Sequence, residues 1–400
     1  MSDGPRRFSE LGRVYGDAKY VAPLLSDISA QARRADTTRT VAPELIAALK
    51  KTDVMRMSAT RELGGIEESI VAMANELRAV APRCGSTAWC LWNHLCTFHH
   101  FAGLLGPAKA EFLRDIVTKH EWFCFPAGAS SEVVGVEQGG KTVLKGVAAF
   151  GSGGRYAEWA GVVFMKQGVD LPQFTLVDLR DPNVRIDETW DGSALRASAT
   201  DHIRYGGVDV PTARVVPWPP KYRELFRKPE YPVVNERYRE DWVALSVVWL
   251  GAMATGVAEA ALTDTSKSIR DRIAIFGTRM VEKPTIHVNL GRARALVNAA
   301  TDTVYAAMAE TDARIAARAL PTEADYFRQT LAGMQAVHLC DEAMRLVLRV
   351  LGGNGLREGA EFERRYRDFQ AMPLHINGHV DRLTEQAGRI ALGLDSQNPF

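Results

Sequence analysis

Cysteine is scarce in this chain and shows no pairing pattern. Five occur in 400 residues, Cys84, Cys90, Cys96, Cys124 and Cys340, an odd number without a Cys-x-x-Cys spacing. This argues against a disulfide scaffold and a cysteine zinc site, and it suits a reducing cytoplasm; no metal is expected. Charge of one sign is equally absent in excess. The 49 basic and 48 acidic residues leave a formal charge of +1 and no basic block, so nucleic acid is a poor partner. One segment, Trp242 to Ala258, is uncharged for 17 residues but diluted with Gly, Ala, Ser and Thr. It reads as a buried core helix and gives no reason to expect a membrane. The opening "MSDGPRRFSELG" lacks the apolar core of a secretory signal, so a cytoplasmic location is expected. Internal repeats and low-complexity segments are also missing.

What is present falls into three territories, enough chain for two or three folding units. Residues 1–121 are helical in pattern, with "PELIAALKKTDV" and "IEESIVAMANELRAVA" placing apolar residues three and four apart. Gly85, Ser86 and Thr87 supply a helix start before "AWCLWNHLCTFHHFAGLLG". Residues 122–220 carry short runs rich in β-branched and aromatic residues, such as "KTVLKGVAAF" and "WAGVVFMKQG", with no helix between them. They predict an antiparallel barrel or sandwich. Residues 221–400 return to long helices; Thr322 with Asp325 three residues on marks one start, and Gly352-Gly353 a stop. The expected class is α+β, mainly α: a helical domain, a β-barrel domain and a C-terminal helical bundle.

Near the C-terminus, "LGGNGLREGAEFERRYRD" sets Gly352, Gly353 and Gly355 before an Arg-rich helix. The glycines let backbone N–H groups approach a ligand closely, and arginines beside them would make a cradle for phosphate. In "AAFGSGG", Ser152 stands between glycines, so its hydroxyl is expected to be accessible. This turn leads into another strand, which argues against a Rossmann site.

The C-terminal stretch resembles the signature of the acyl-CoA dehydrogenase superfamily. "WDGSALRASATDHIRYGGVDVPTARVV" is similar to its β-domain segment. "IRDRIAIFGTRMVEKPTIHVNLGRA" resembles its flavin-binding helix hairpin, with Arg272 and Phe276 in place. The resemblance covers nearly the whole chain. It implies an acyl-CoA dehydrogenase-like fold with a four-helix C-terminal bundle, a flavin and a homotetramer.

Dehydrogenases of this superfamily need a carboxylate base. At one usual position this chain has Ile376; at the other, Leu250 to Ala254, there is no acid either, and Glu259 lies more than two turns on. His375 is present instead. This resembles the flavin-dependent monooxygenase branch, as do "CGSTAWCLWNH" and the strand "GVAAFGSGGRYAEWAGVV", in which Ala148 replaces the usual tryptophan. That replacement implies a differently shaped pocket wall.

The resemblance then implies the oxygenase component of a two-component aromatic hydroxylase. It would use reduced FMN or FAD and O2, through a C4a-hydroperoxyflavin, with a separate NAD(P)H-dependent flavin reductase as partner. His375, with a pKa able to lie near neutrality, Ser152 and His94 are the expected catalytic groups. His99 and His100 lie close to His94, so which of the three faces the site stays open. Arg272, Phe276, Phe150, Ser152, Gly352, Gly353 and Phe125 are expected at the cofactor. Trp89, Trp92 and Phe98 are expected at a small aromatic substrate. The alternative is an FAD-dependent acyl-CoA dehydrogenase with a displaced base such as Glu259.

Overall fold

The computed structural model describes residues 10–126, 131–219, 221–274 and 277–398. The first helices are α1 (Leu25–Thr38), α2 (Pro43–Lys50), α3 (Ile70–Val80), α4 (Gly85–Leu105) and α5 (Ala110–Thr118). Among the described residues eight strands follow: β1 (Phe123–Cys124), β2 (Val134–Gln138), β3 (Lys141–Gly151), β4 (Trp159–Lys166), β5 (Gln173–Asp178), β6 (Val184–Asp187), β7 (Asp201–Pro211) and β8 (Val216–Pro217). The chain then returns to helices with α6 (Tyr222–Phe226), α7 (Trp242–Ser268), α8 (Pro284–Ala316), α9 (Glu323–Leu351), α10 (Glu361–Phe369) and α11 (Val380–Ala391).

The sheet corrects the expected antiparallel barrel. Its order is β6-β7-β3-β2-β4-β5-β8, and β1 and β2 both run parallel to β4. Among the described residues the two ends, four-residue β6 and two-residue β8, pair only with β7 and β5. No ladder joins them, so the sheet stays open and mixed.

α7 is apolar around its whole circumference because helices surround it. Asp241 caps it by accepting from Val243 N (2.8 Å) and Ala244 N (3.2 Å), and every side chain from Val243 to Ala258 is buried. Among the described residues it is the one helix long and apolar enough to cross a membrane, yet α3, α4, α8 and α9 wall it in. α9 begins with the expected capping box, Thr322 Oγ1 accepting from Asp325 N at 3.2 Å and Asp325 from Thr322 N at 2.9 Å. Gly352, at φ +60°, ends it.

Where α7 and α9 cross, a Cβ on Gly333 would stand 2.4 Å from the Val247 carbonyl oxygen, and Gly251 faces the Gly333 carbonyl in turn. The helices approach this closely only because both positions lack a side chain. Gly333→Ala is therefore expected to lower stability by about 1–3 kcal/mol, the usual cost of overpacking, despite alanine's better helix propensity. Denaturant unfolding checks this; an unchanged or higher midpoint would show that the crossing is slack.

Candidate active site

α4 turns by about 100° per residue, so Trp89, Trp92, Asn93, Cys96 and His100 share one broad face, with His94 and Phe98 behind. That front face meets α7 in antiparallel register. Trp92 Nε1 donates to the Ser246 carbonyl (2.8 Å), His99 pairs with the Glu240 carbonyl (2.9 Å), and the His100 ring stacks on Trp242.

Trp89 is the hinge of the site. Its indole N–H donates to Ser152 Oγ at 3.1 Å, and its ring lies 5.4 Å, edge on, from the His375 imidazole. Trp92 meets the same imidazole at 4.8 Å and 89°. The β-domain serine and the C-terminal histidine thus stand at two edges of one side chain.

Ser152 is buried rather than accessible. Its hydroxyl pairs with Thr200 Oγ1 (3.0 Å), which pairs with Ser198 Oγ (2.7 Å). A β-bulge sets up this turn: the β3–β7 register shifts between Ala148 and Gly151, and Phe150 is forced to φ +58° with its ring 52% exposed. An exposed aromatic in the left-handed region carries backbone strain. Ala148 sits inside the β-domain core against the Ile203 register position, 1% exposed, so it widens no cavity wall.

His375 caps a short 3₁₀ turn, its Nδ1 accepting from Asn377 N at 3.2 Å. Asn377 Nδ2 is anchored on Ser246 Oγ (2.9 Å), which fixes the turn against α7. Burial first, then the Arg382 cation, push the imidazole down to about 4, which corrects the expectation of a pKa near neutrality. It is neutral at physiological pH. With Nδ1 an acceptor, the proton sits on Nε2, which makes His375 a donor rather than a base.

His94 has no such freedom. Nε2 pairs with the Met55 carbonyl (3.0 Å) and Nδ1 accepts from Phe123 N (3.0 Å), so the ring joins α4 to β1 and leaves no nitrogen for a substrate. Burial holds its pKa at about 4. Phe98 packs against Phe123 and Tyr238 on the same rear face, away from Trp89 and His375. Phe125 lies beside His100 and Phe101.

Of the phosphate-cradle residues, Arg272 and the glycine turn come together. Arg272 Nη1 donates to the Leu351 carbonyl at 3.0 Å, immediately before Gly352 and Gly353, whose exposed backbone has nothing within 4 Å of an added Cβ. Phe276 lies outside the described residues. Two arginines of α10 do other work. Arg365 is held by Asp264, Glu361 and the Pro82 carbonyl, and Arg367 by Asp36, Glu363 and the Ser193 carbonyl. They tie α10 to its neighbours, and no phosphate role is left to them. Asp368 accepts from Leu195 N (2.8 Å) and abuts Gly85; burial raises its carboxyl to about 6.

The positions of a dehydrogenase base stay without a carboxylate. Ile376 is exposed, Leu250 is buried, and Glu259 is locked in a two-pronged pair with Arg294.

Residues 248–379 match the family described as acyl-CoA dehydrogenase, C-terminal domain. The oxygenase component of p-hydroxyphenylacetate 3-hydroxylase from Acinetobacter baumannii is 24% identical, over 94% of this chain and 88% of its own. The flavin-dependent monooxygenase oxygenase subunit HsaA of Rhodococcus jostii is 25% identical over 93% and 97%. Among solved structures, XiaF from Streptomyces in complex with FADH2 and glycerol superposes with a TM-score of 0.85 at 19% identity, covering 99% and 98% of the two chains. Residues 248–379 thus resemble the acyl-CoA dehydrogenase C-terminal domain, the fold is that of the superposed structure, and the relatives matched along most of their length are named as oxygenases of flavin-dependent hydroxylases.

Proposed function

We propose that this chain is the oxygenase component of a two-component flavin-dependent monooxygenase that hydroxylates an aromatic or heteroaromatic small molecule. The observation that carries this is the neutral imidazole of His375 and the hydroxyl of Ser152 at two edges of Trp89, with no free carboxylate at either dehydrogenase position. The names of the full-length relatives support it. Reduced FMN or FAD, delivered by a separate NAD(P)H-dependent reductase, supplies two electrons and activates O2, so that one oxygen atom enters the product and the other leaves as water.

The protein's share is holding, shielding and hydrogen bonding. Arg272 and the open Gly352–Gly353 backbone suit a flavin phosphate. The Ser152 hydroxyl, held by Trp89 and Thr200, suits the polar edge of a flavin ring, and exposed Phe150 its apolar face. His375 Nε2–H would serve as a donor to an oxygen atom at the flavin once one is bound. Leu374 and Ile376, 72% and 59% exposed, flank it with apolar surface that excludes water once covered. Ile273 and Leu356 are likewise exposed and apolar, and they lie close in sequence to Arg272 and Gly352. Surfaces of this kind suit burial between subunits of a homotetramer.

The test is oxygen labelling. Protein supplied with chemically or enzymatically reduced flavin, a panel of phenols and indoles, and ¹⁸O2 should yield a product carrying one ¹⁸O. An unlabelled panel, together with conversion of an acyl-CoA to its enoyl-CoA when an electron acceptor is added, would replace the oxygenase reading with the dehydrogenase one.

A further inference from the structure

A row of three hydroxyls ends at Ser152, and its protons can be counted. Ser152 Oγ lies 3.0 Å from Thr200 Oγ1, which lies 2.7 Å from Ser198 Oγ. All three side chains are buried, Ser198 at 0% exposure, Ser152 at 7% and Thr200 at 8%. Ala199, between the two residues of the far turn, sits at φ +48°, a left-handed conformation that strains an alanine. Backbone bonds lock this turn to the one that carries Ser152. Gly153 N donates to the Ser198 carbonyl (2.8 Å) and Gly154 N to the Ala199 carbonyl (3.3 Å). Cys90 Sγ, from α4, donates to the Ser198 carbonyl as well (3.2 Å).

The direction of the row follows from which groups have an acceptor. Each hydroxyl carries one proton and two lone pairs, whereas an indole N–H can only donate. Trp89 therefore takes one lone pair of Ser152, at 3.1 Å. At the far end, Ser198 Oγ has no second partner among the described residues. Its proton goes to Thr200, because an unpaired hydroxyl proton at zero exposure is costly. Thr200, receiving that bond, has Ser152 as its one remaining acceptor among the described residues, and donates to it. Ser152 then receives two hydrogen bonds, and its own proton is the one left over. Bonds aligned head to tail polarise one another, which strengthens the last donor.

We propose that Thr200, backed by Ser198, is a positioning residue that fixes Ser152 as a hydrogen-bond donor. The site then selects a ring edge that presents acceptors, a carbonyl oxygen or an unprotonated ring nitrogen. In this role Thr200 acts through Ser152. The proposal rests on the reading of Ser152 as a contact of the flavin ring, and not on the reaction that follows.

The test is equilibrium binding of oxidised FMN and of oxidised FAD to the full chain, followed by flavin fluorescence, in a double-mutant cycle. Thr200→Val keeps the shape and removes the hydroxyl. It should weaken binding about three- to tenfold, the size of one neutral hydrogen bond. Ser152→Ala should weaken it at least as much, and adding Thr200→Val to Ser152→Ala should change binding by less than about twofold. Thr200→Ser should restore wild-type affinity. Thr200→Ala takes the place of the valine variant if that one does not fold. Effects that multiply in the double variant, or a serine that restores nothing, would overturn the proposal and leave Thr200 a packing residue. So would unchanged or tighter binding by Thr200→Val; tightening would show that Ser152 donates its proton to Thr200. A wild type that binds neither flavin would remove the ring contact and the proposal with it. An intact cycle with no ¹⁸O in any product would instead sink the oxygenase reading alone.

Discussion

His375→Ala is expected to lower hydroxylated product formed per reduced flavin by about 10²–10⁴-fold, the range that a positioned proton donor contributes. Oxygen should still be consumed and should appear as hydrogen peroxide, because the groups suited to hold flavin, Arg272 and the Gly352–Gly353 turn, are untouched. Alanine also removes the cap on the 376–378 turn, so a second variant separates the two effects. His375→Asn can still accept from Asn377 N while lacking the Nε2–H donor. If asparagine restores product, the histidine acts through the turn it caps and not through its ring. Product and peroxide measured side by side for both variants decide the matter.

A second large effect concerns acid. His94 and His375 are held near 4, His99 near 3, and His100 well below its ordinary value, in each case chiefly by burial. An unfolded histidine takes up a proton near pH 6.5. These four take none in the folded chain until the pH is far lower. The unfolded state therefore binds more protons between about pH 6.5 and 4, and folding stability falls as pH falls through that window. Their contribution is complete above pH 6.5. With four groups the slope approaches about 5 kcal/mol per pH unit in the middle of the window, enough to unfold a domain of ordinary stability. Denaturant midpoints measured from pH 7.5 to 4.5 should drop steeply below pH 6.5. A flat profile down to pH 5 would mean that these imidazoles are hydrated. Activity, where it can be followed before unfolding, should show no acid limb near pH 6.5 from His375.

The order of helical, strand and helical territories was legible because periodicity changes sharply at Trp122 and again beyond residue 220. The caps at Thr322 and Gly352 were legible because those residue types have few other uses. Strand direction was not. β1 and β2 run parallel to β4 through contacts of two residue pairs each, too short to leave a pattern.

Within the site, the Trp89–Ser152–His375 constellation joins residues up to 286 positions apart, and only the motifs hinted at it. The histidines of α4 were harder. Every residue of that helix except Asn93 is buried, so hydrophobic pattern gives no sidedness. Angular position would have helped: 100° steps from Trp89 bring His100 back to the front and turn His94 away. Two arginines of α10 misled for another reason. The sequence displays their charge but not Asp36, Asp264 and the Ser193 carbonyl that neutralise it from distant segments.

Asp368 meets the Leu195 backbone on one side and the start of α4 at Gly85 on the other, so one carboxylate occupies the keystone position between the strand region and both helical regions. A methyl group at residue 85 would stand about 3.0 Å from it. The alignment of the serine and the histidine across the Trp89 indole is thus inherited from a junction that touches neither of them. Remodelling the surroundings of Trp89 should therefore leave that junction intact.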